Sequence, residues 1–304
     1  ERIAAIAEAE KRTATMTAER GPSAQTQAEI AAREAVAAAA RHLSEREAVF
    51  GAAALEARAG ERAGGFASAA QIAAAVDRAR GAGDLIARDQ GARGRGFTTR
   101  EAVATERRML AIEGDGRGSV APALDRQEAL RAVTTAAFFS QAKGHSWTEG
   151  QRSATMGLLT SPDRVSGVQG YAGTAKTTTV LSTYAREARR HGLAVTALAP
   201  TASAATVLGE ALGLRGDTVA RHLLAPEAKT AGKDAVWIVD EASMLSAHDM
   251  AKLMTRADKA GARLVLVGDV KQLGSVGAGA AFAQLQQAGM ATAKLAEVVR
   301  QTNA

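Results

Sequence analysis

The sequence predicts an α/β fold in which a parallel sheet with crossover helices follows a mainly α-helical N-terminal region. Three observations support this fold class. The first half of the chain is rich in Ala, Glu and Arg, which favour helices. The second half alternates short β-branched runs with helical stretches, as parallel strands joined by helices do. A turn rich in Gly and Thr follows the first of these runs, as expected where a strand turns into a helix.

The N-terminal region is expected to form Ala-rich helices. They are predicted over residues 1–20, 27–42, 67–80, 99–113 and 125–141. Gly21, Pro22 and Ser23 separate the first two, because their turn chemistry ends a helix. Ser44 and Glu47 have capping-box spacing, so another helix is predicted to begin at Ser44. Gly and Arg alternate between residues 84 and 97, which indicates a basic hairpin, a mobile loop or an ordinary solvated loop.

The second half supplies four strand candidates, over residues 165–168, 193–198, 236–239 and 264–267. Ligands of parallel sheets bind at the carboxyl ends of the strands, and each candidate is followed by a turn that carries polar residues. The chain is expected to comprise a linker-like helical segment (1–41), an α-helical domain (42–124) and an α/β domain (125–304).

Composition excludes several classes of protein. The 304 residues contain no Cys, which removes disulfide frameworks, thiolate zinc sites and cysteine nucleophiles. No apolar run is long enough for a membrane span, and the first thirty residues do not resemble a signal peptide, so we expect a soluble cytoplasmic protein without membrane insertion. The net charge of +6 is compatible with a polyanionic partner such as nucleic acid.

The segment VQGYAGTAKTTT has the chemistry of a phosphate-binding loop. Gly170 and Gly173 allow backbone N–H groups to wrap a phosphate, Lys176 suits the outer phosphates, and the Thr177 hydroxyl suits Mg²⁺. The pattern departs from the usual one at Ala175, where Gly is expected just before the Lys and where a methyl group crowds the turn.

Two further strand ends carry polar residues in the same order along the chain. VWIVDEASML ends a strand in Asp240 and Glu241, which suit metal binding and activation of a water molecule, or else cap the next helix. LVLVGDVKQL places Gln272 after another strand, where it can sense a terminal phosphate or lie in a surface turn. Three such motifs in this order favour phosphoryl-transfer chemistry.

The ordered set of motifs resembles motifs I, Ia, II, III and IV of superfamily 1 helicases of the RecD-like group. These are GYAGTAKTT, APTASAA, VDEASML, GDVKQL and EVVRQ. Within that group the chain is most similar to the helicase part of TraI/TrwC-type (MobF) conjugative relaxase-helicases, through LSEREAVF, FTTREAVATERRML and WTEGQRSA. The resemblance runs from about residue 42 to residue 301 and implies a RecA-like sheet in residues 125–304.

The resemblance also implies residue roles. Nucleotide binding falls to Gln151, Gly170, Gly173, Thr174, Ala175, Lys176, Thr177 and Thr178, with Gln151 reading adenine or, alternatively, capping a helix. Thr177 and Asp240 would hold Mg²⁺, and Lys176, Glu241, Gln272 and Arg300 would be catalytic. Pro200, Thr201 and Thr218 would contact DNA, although ordinary helix caps explain these residues equally well.

The implied function is the ATP-binding half of a 5′–3′ RecD-like DNA helicase of bacterial cytoplasm, using ATP and Mg²⁺ on single-stranded DNA in conjugative transfer. Conjugative secretion or relaxosome proteins are the implied partners. The chain stops after the fourth motif, so a second motor domain is expected to be missing. Two alternatives remain: a repair or recombination RecD-like helicase, and a vestigial helicase fold that binds single-stranded DNA or docks on a secretion partner. Nicking of DNA is not expected, because the five His residues are scattered.

Overall fold

A computed structural model describes residues 23–45, 47–89, 95–171, 175–226, 232, 234–270 and 280–295. The chain divides into two compact units, the first from residues 1–44 and 49–100 and the second from residues 45–48 and 101–304. No helix of the described ranges is both long and apolar enough to cross a membrane.

In the residues that the structure describes, the first unit combines three helices with a small antiparallel sheet. Its elements are α1 (Ala24–Ser44), β1 (Phe50–Gly51), α2 (Ala52–Ala63), α3 (Ala69–Gly81), β2 (Leu85–Asp89) and β3 (Arg95–Thr99). The strand order is β1-β3-β2, and Phe97 of the central strand pairs with Phe50 and Ala87. Phe50, Leu55 and Phe97 are buried among the alanines of the three helices, so small side chains allow close helix packing here.

Two features of this unit differ from the sequence expectation. Ser44 does not begin a helix, because it is the last residue of α1 and its hydroxyl donates to the carbonyl of Ala40 (2.7 Å). α1 runs past the predicted boundary at residue 41 and buries Ala32, Val36 and Ala39 in the core, so this part of the chain is packed and not linker-like. Between residues 84 and 97 the hairpin alternative is correct, since β2 and β3 pair along their length.

In its described residues, the second unit is a six-stranded sheet flanked by helices. Its elements are α4 (Arg100–Asp115), α5 (Arg126–Ala142), α6 (Glu149–Thr160), β4 (Val165–Gly170), a π-helical turn (Lys176–Leu181), α7 (Ser182–Arg190), β5 (Ala194–Ala199), α8 (Ala202–Leu212), β6 (Gly216–Thr218), α9 (Val219–Leu224), β7 (Ala235–Val239), a 3₁₀ turn (Ala242–Met244), α10 (Ala247–Ala260), β8 (Arg263–Gly268), α11 (Ala280–Gln287) and β9 (Thr292–Leu295).

The sheet has the order β6-β5-β7-β8-β4-β9, and every neighbouring pair is parallel. The four predicted strands are confirmed as β4, β5, β7 and β8, which confirms the predicted fold class. The short edge strands β6 and β9 were not predicted, because GDT and TAKL contain too few β-branched residues to indicate a strand.

Alternate residues of the central strands enter two separate cores. Trp237 and Leu266 pack on one face with α10 and α11, whereas Ile238 and Val267 pack on the other with α5, α6 and α7. Met109 of α4 is buried in the first of these cores, so the second unit begins near residue 101 and not at the predicted residue 125. A parallel sheet buried on both faces holds its strand ends rigidly, which is what a site at those ends requires.

Candidate nucleotide-binding site

The polar residues predicted to act together lie at one edge of the sheet. β4 ends at Gly170, β7 at Val239 and β8 at Gly268, and all three strands run in the same direction. Their carboxyl ends therefore share one edge of the sheet. Of the predicted residues, Gly173, Thr174, Gln272 and Arg300 lie outside the described residues.

Lys176 begins the π-helical turn and is partly buried. Its ammonium group donates hydrogen bonds to the carbonyls of Gly170 and Tyr171, the second at 3.1 Å. Burial lowers the pKa of Lys176, while the carboxylates of Asp240, Asp269 and Glu241 act in the opposite direction. A lysine at the start of a helical turn, where free backbone N–H groups also attract negative charge, suits an anionic ligand.

Thr177 and Asp240 form the contact that joins the first two motifs. The Thr177 hydroxyl donates to a carboxylate oxygen of Asp240 at 3.3 Å, across 63 positions of sequence. The Asp240 N–H donates to the carbonyl of Leu198 (2.9 Å), which fixes this turn to the neighbouring strand β5. A hydroxyl and one carboxylate are the protein ligands that Mg²⁺ takes beside phosphates and water. No cluster of three or more His, Asp or Glu residues suited to a metal occurs in the described part.

Two residues of the site adopt the left-handed backbone conformation. Ala175 and Glu241 both have φ of 53°, and they are the non-Gly residues with positive φ in the part of the chain that the structure covers. Ala175, whose methyl group was predicted to crowd the turn, therefore has a backbone conformation that favours Gly. Glu241 gave no such signal in the sequence. Strained residues collected at one edge of the sheet indicate a functional site.

Local hydrogen bonds hold both strained residues. The carbonyl of Ala175 accepts from the hydroxyl of Thr179 (2.6 Å), and the N–H of Glu241 donates to the Asp240 carboxylate (2.9 Å). The carbonyl of Glu241 also accepts from the N–H of Met244 (2.9 Å). The turn from Lys176 to Leu181 is π-helical, a form often found at functional sites. Thr178 in this turn is exposed.

A buried polar network, centred on Gln169, was not predicted from the sequence. The Gln169 amide donates to the carboxylate of Asp269 (3.2 Å) and accepts from the N–H of Val270 (3.3 Å) and the amide of Gln286 (3.2 Å). The Asp269 N–H in turn donates to the hydroxyl of Ser243 (3.4 Å). Gln169 thereby connects the strand before the phosphate loop with the turns after β7 and β8. The one sequence signal was a polar side chain inside an apolar strand.

Gln151 occupies the position that its alternative role predicts. It is the third residue of α6, accepts from the N–H of Thr148 (3.0 Å), and donates its own N–H to the Thr148 hydroxyl (3.2 Å), which completes a capping box. Only 2% of the residue is exposed. Recognition of adenine by Gln151 stays a prediction.

The three predicted DNA contacts lie at the ends of β5 and β6. Thr201 caps α8 by accepting from the N–H of Ala204, and Thr218 caps α9 by accepting from the N–H of Arg221, both at 3.2 Å. Ala199 pairs with Thr218, the last residue of β6, so Pro200, Thr201 and Thr218 lie at the ends of neighbouring strands on the same edge of the sheet. The helix-cap alternative is therefore present, and contact with DNA stays a prediction.

The chain is similar to bacterial conjugation proteins and DNA helicases. The probable conjugal transfer protein TraA of Sinorhizobium fredii is 34% identical, over 61% of this chain and 16% of that protein. The multifunctional conjugation protein TraI of Escherichia coli K12 is 34% identical, over 51% of this chain and 9% of that protein. The ATP-dependent RecD2 DNA helicase of Deinococcus radiodurans is 41% identical, over 43% of this chain and 19% of that protein. The matched segment thus spans under a fifth of each relative.

Among solved structures, the Pif1 helicase of Candida albicans is similar over 51% of this chain and 41% of that chain, with 20% identity and a TM-score of 0.35. Residues 146–304, just over half of the chain, match the profile of a family described as an AAA domain. The predicted resemblance to the helicase part of TraI-type proteins and to RecD-like helicases is confirmed, and the chain belongs to the AAA domain family.

Proposed function

We propose that this chain is the ATP-binding part of a RecD-like DNA helicase, which uses ATP to move 5′ to 3′ along single-stranded DNA during conjugative transfer. The observation that carries this proposal is the contact of Thr177 with Asp240, beside Lys176 and Glu241, at the carboxyl edge of the sheet. Relatives named for conjugal transfer and for DNA helicase activity support the same conclusion.

The residues of the site fit a magnesium-bound nucleotide. Lys176 would neutralise the outer phosphates, and the backbone from Gly170 through Gly173 to Thr178 would surround them at the start of a helix. Thr177 and Asp240 supply the hydroxyl and carboxylate that Mg²⁺ prefers. When bound, Mg²⁺ neutralises charge on the phosphate oxygens.

Hydrolysis of ATP needs a base near the attacking water molecule. We propose Glu241 as this base, because it directly follows Asp240, the residue proposed to hold the metal. The left-handed backbone at Glu241 sets the direction in which its side chain leaves the chain. Gln272 and Arg300 are proposed to sense and stabilise the terminal phosphate, since a guanidinium suits charge spread over phosphoryl oxygens. We propose that Thr201 and Thr218 contact the DNA backbone through their hydroxyl hydrogens, which the helix caps do not use.

A second candidate is a RecD-like helicase of DNA repair or recombination, which the similarity to RecD2 favours. Both candidates predict the same chemistry at Lys176 and a location in the bacterial cytoplasm, where ATP and DNA are found. In the conjugative case, proteins of the relaxosome or secretion apparatus are proposed partners. These candidates are separated by the partner that the whole protein binds.

The direct test is titration of a fluorescent ATP analogue with Mg²⁺ into this chain and into its Lys176→Ala variant. We expect saturable binding that the variant loses, because the ammonium is the main cation facing the phosphates. Lys252→Ala is the matched control, since Lys252 is an exposed lysine of α10 outside the phosphate loop. Equal binding by all three proteins at millimolar nucleotide would overturn the ATPase proposal and favour a vestigial helicase fold.

A further inference from the structure

A separate open groove of about 610 Å³ runs between α5 and the helix that follows the phosphate loop. Its walls come from α5, the segment from Lys143 to Trp147, the π-helical turn and α7, all within the second unit. Pro200, Thr201 and Thr218 do not line it. The groove is therefore distinct from the strand ends proposed to contact DNA.

The groove is positively charged. Arg131, Lys143, Arg186 and Arg190 line it, against Glu128 and Glu187. The single Glu187 carboxylate is shared by Arg186 (2.9 Å) and Arg190 (3.2 Å), which leaves excess positive charge on that wall.

The opposite wall carries unpaired positive charge. Glu128 accepts from the N–H of Asp125 in the cap of α5. Within the described ranges, no carboxylate pairs with Arg131 or Lys143. This wall can therefore accept an anion without first breaking an ion pair among the described residues.

Aromatic side chains lie beside these cations. The Phe139 ring lines the groove, although 62% of the residue is exposed, and Trp147 lines it with only 8% exposed. The neighbouring Phe138 is 66% exposed and contacts Phe139 edge to face at 5.7 Å, but does not line the groove. The chain has only six Phe, so two adjacent exposed ones on one helix are unusual and mark a contact surface.

We infer that this groove binds a short stretch of single-stranded DNA, as a second site beside the proposed strand-end contacts. Phosphates would lie against the four basic side chains, and a base would stack on Phe139, the combination by which single strands are held without sequence preference. An acidic protein segment also matches these charges, and competition by polyglutamate distinguishes it from DNA. The inference takes its ligand class from the proposed function, but it does not depend on ATP binding.

The sharpest test compares two neighbouring phenylalanines. Binding of a fluorescently labelled oligothymidylate of about twelve nucleotides is measured by anisotropy at low salt without nucleotide. Phe139→Ala should weaken binding about tenfold because one stacked base is lost, whereas Phe138→Ala should change it less than about twofold. Both side chains are mostly exposed, so neither substitution removes core packing.

Charge reversal and fluorescence give independent readouts. The Arg131→Glu, Lys143→Glu double variant should abolish most binding and flatten its salt dependence. The Arg126→Glu, Arg189→Glu double variant reverses as many charges on α5 and α7, at residues that do not line the groove, and is the matched control. The chain has two tryptophans, and only Trp147 lines the groove, so quenching by DNA should disappear in Trp147→Phe and persist in Trp237→Phe.

Five results would overturn the inference. Four are no binding by the parent chain, equal losses in Phe138→Ala and Phe139→Ala, equal losses in the two double variants, and equal competition by polyglutamate, which would assign an acidic protein partner. Thr178 and Thr179 line one end of the groove, so displacement of DNA by ATP with Mg²⁺, lost in Lys176→Ala, would assign the groove to the nucleotide instead. Groove binding that persists when ATP binding fails would leave this inference standing and remove the proposed ATPase.

Discussion

Replacing Ala175 by Gly should stabilise this protein, although the same substitution in a helix destabilises proteins. Ala175 has φ of 53° and ψ of 32°, a conformation that costs a residue with a Cβ roughly 1–2 kcal/mol. Gly removes that cost but gives the unfolded chain more freedom, which opposes folding by about 0.4–1 kcal/mol. The difference favours Ala175→Gly by about 0.5–1 kcal/mol.

The assay is chemical unfolding followed by circular dichroism, with thermal unfolding as a second measurement. A gain of this size should raise the melting temperature of a unit this large by about 2 °C. Ala111→Gly is the matched control, because Ala111 is an exposed residue inside α4. That control should lose about 1 kcal/mol through helix propensity alone.

The sign of the change decides the matter. If Ala175→Gly destabilises the chain as much as Ala111→Gly does, the backbone at residue 175 is not left-handed and the strain argument fails. Affinity for the ATP analogue should be unchanged or higher in Ala175→Gly, because Gly adopts the same conformation without strain.

Three further predictions concern the second unit. Burial lowers the pKa of His222 to about 4, whereas the same side chain in the unfolded protein binds a proton below about pH 6.5. The free energy of unfolding should therefore fall by up to about 3 kcal/mol as the pH drops from 7 towards 4. The His222→Phe variant should show a flatter dependence of this free energy on pH. Gln169→Leu should cost about 2 kcal/mol in urea unfolding and slow ATP turnover, because it removes three hydrogen bonds of the buried network; unchanged stability would contradict the network. Mg²⁺ should raise the affinity of the parent chain for the ATP analogue, and Asp240→Asn should abolish this gain, as measured by titration with and without the metal. Without Mg²⁺ the affinity of the variant should stay within about twofold of that of the parent chain. A metal effect equal to that of the parent chain would show that Asp240 is not part of the site.

The strand-end motifs could be placed from the sequence because parallel strands leave little freedom. Once the strands at 165–168, 236–239 and 264–267 are parallel neighbours in one sheet, their carboxyl ends must lie at the same edge. Lys176 and Asp240 come after two of these strands, so they are brought to that edge. The Thr177–Asp240 contact is the direct consequence. This part of the site depends on order along the chain and on strand direction, both of which are visible in the residues.

Other features depend on tertiary contacts that no local pattern encodes. Thr292–Leu295 is a strand only because it pairs with β4, and the hydroxyl of Ser44, at the end of α1, donates to the hydroxyl of Thr99 in β3 (3.4 Å). Capping residues are ambiguous for a different reason. Thr201 and Thr218 cap helices at the same strand ends where DNA contact is proposed, and one hydroxyl is suited to either task.

The backbone, more than the choice of side chains, sets the geometry of this site. Ala175 and Glu241 both follow the end of a strand and both precede a tight helical turn, and each takes the left-handed conformation. A positive φ lets the chain turn sharply after a buried strand, at a cost of about 1–2 kcal/mol per residue. The hydrogen bonds to Thr179 and Asp240 offset that cost locally. The side chains of Lys176 and Glu241 thus extend from backbone positions set at the ends of β4 and β7. This explains how the site can keep the same backbone conformation with Ala at position 175, where Gly is expected.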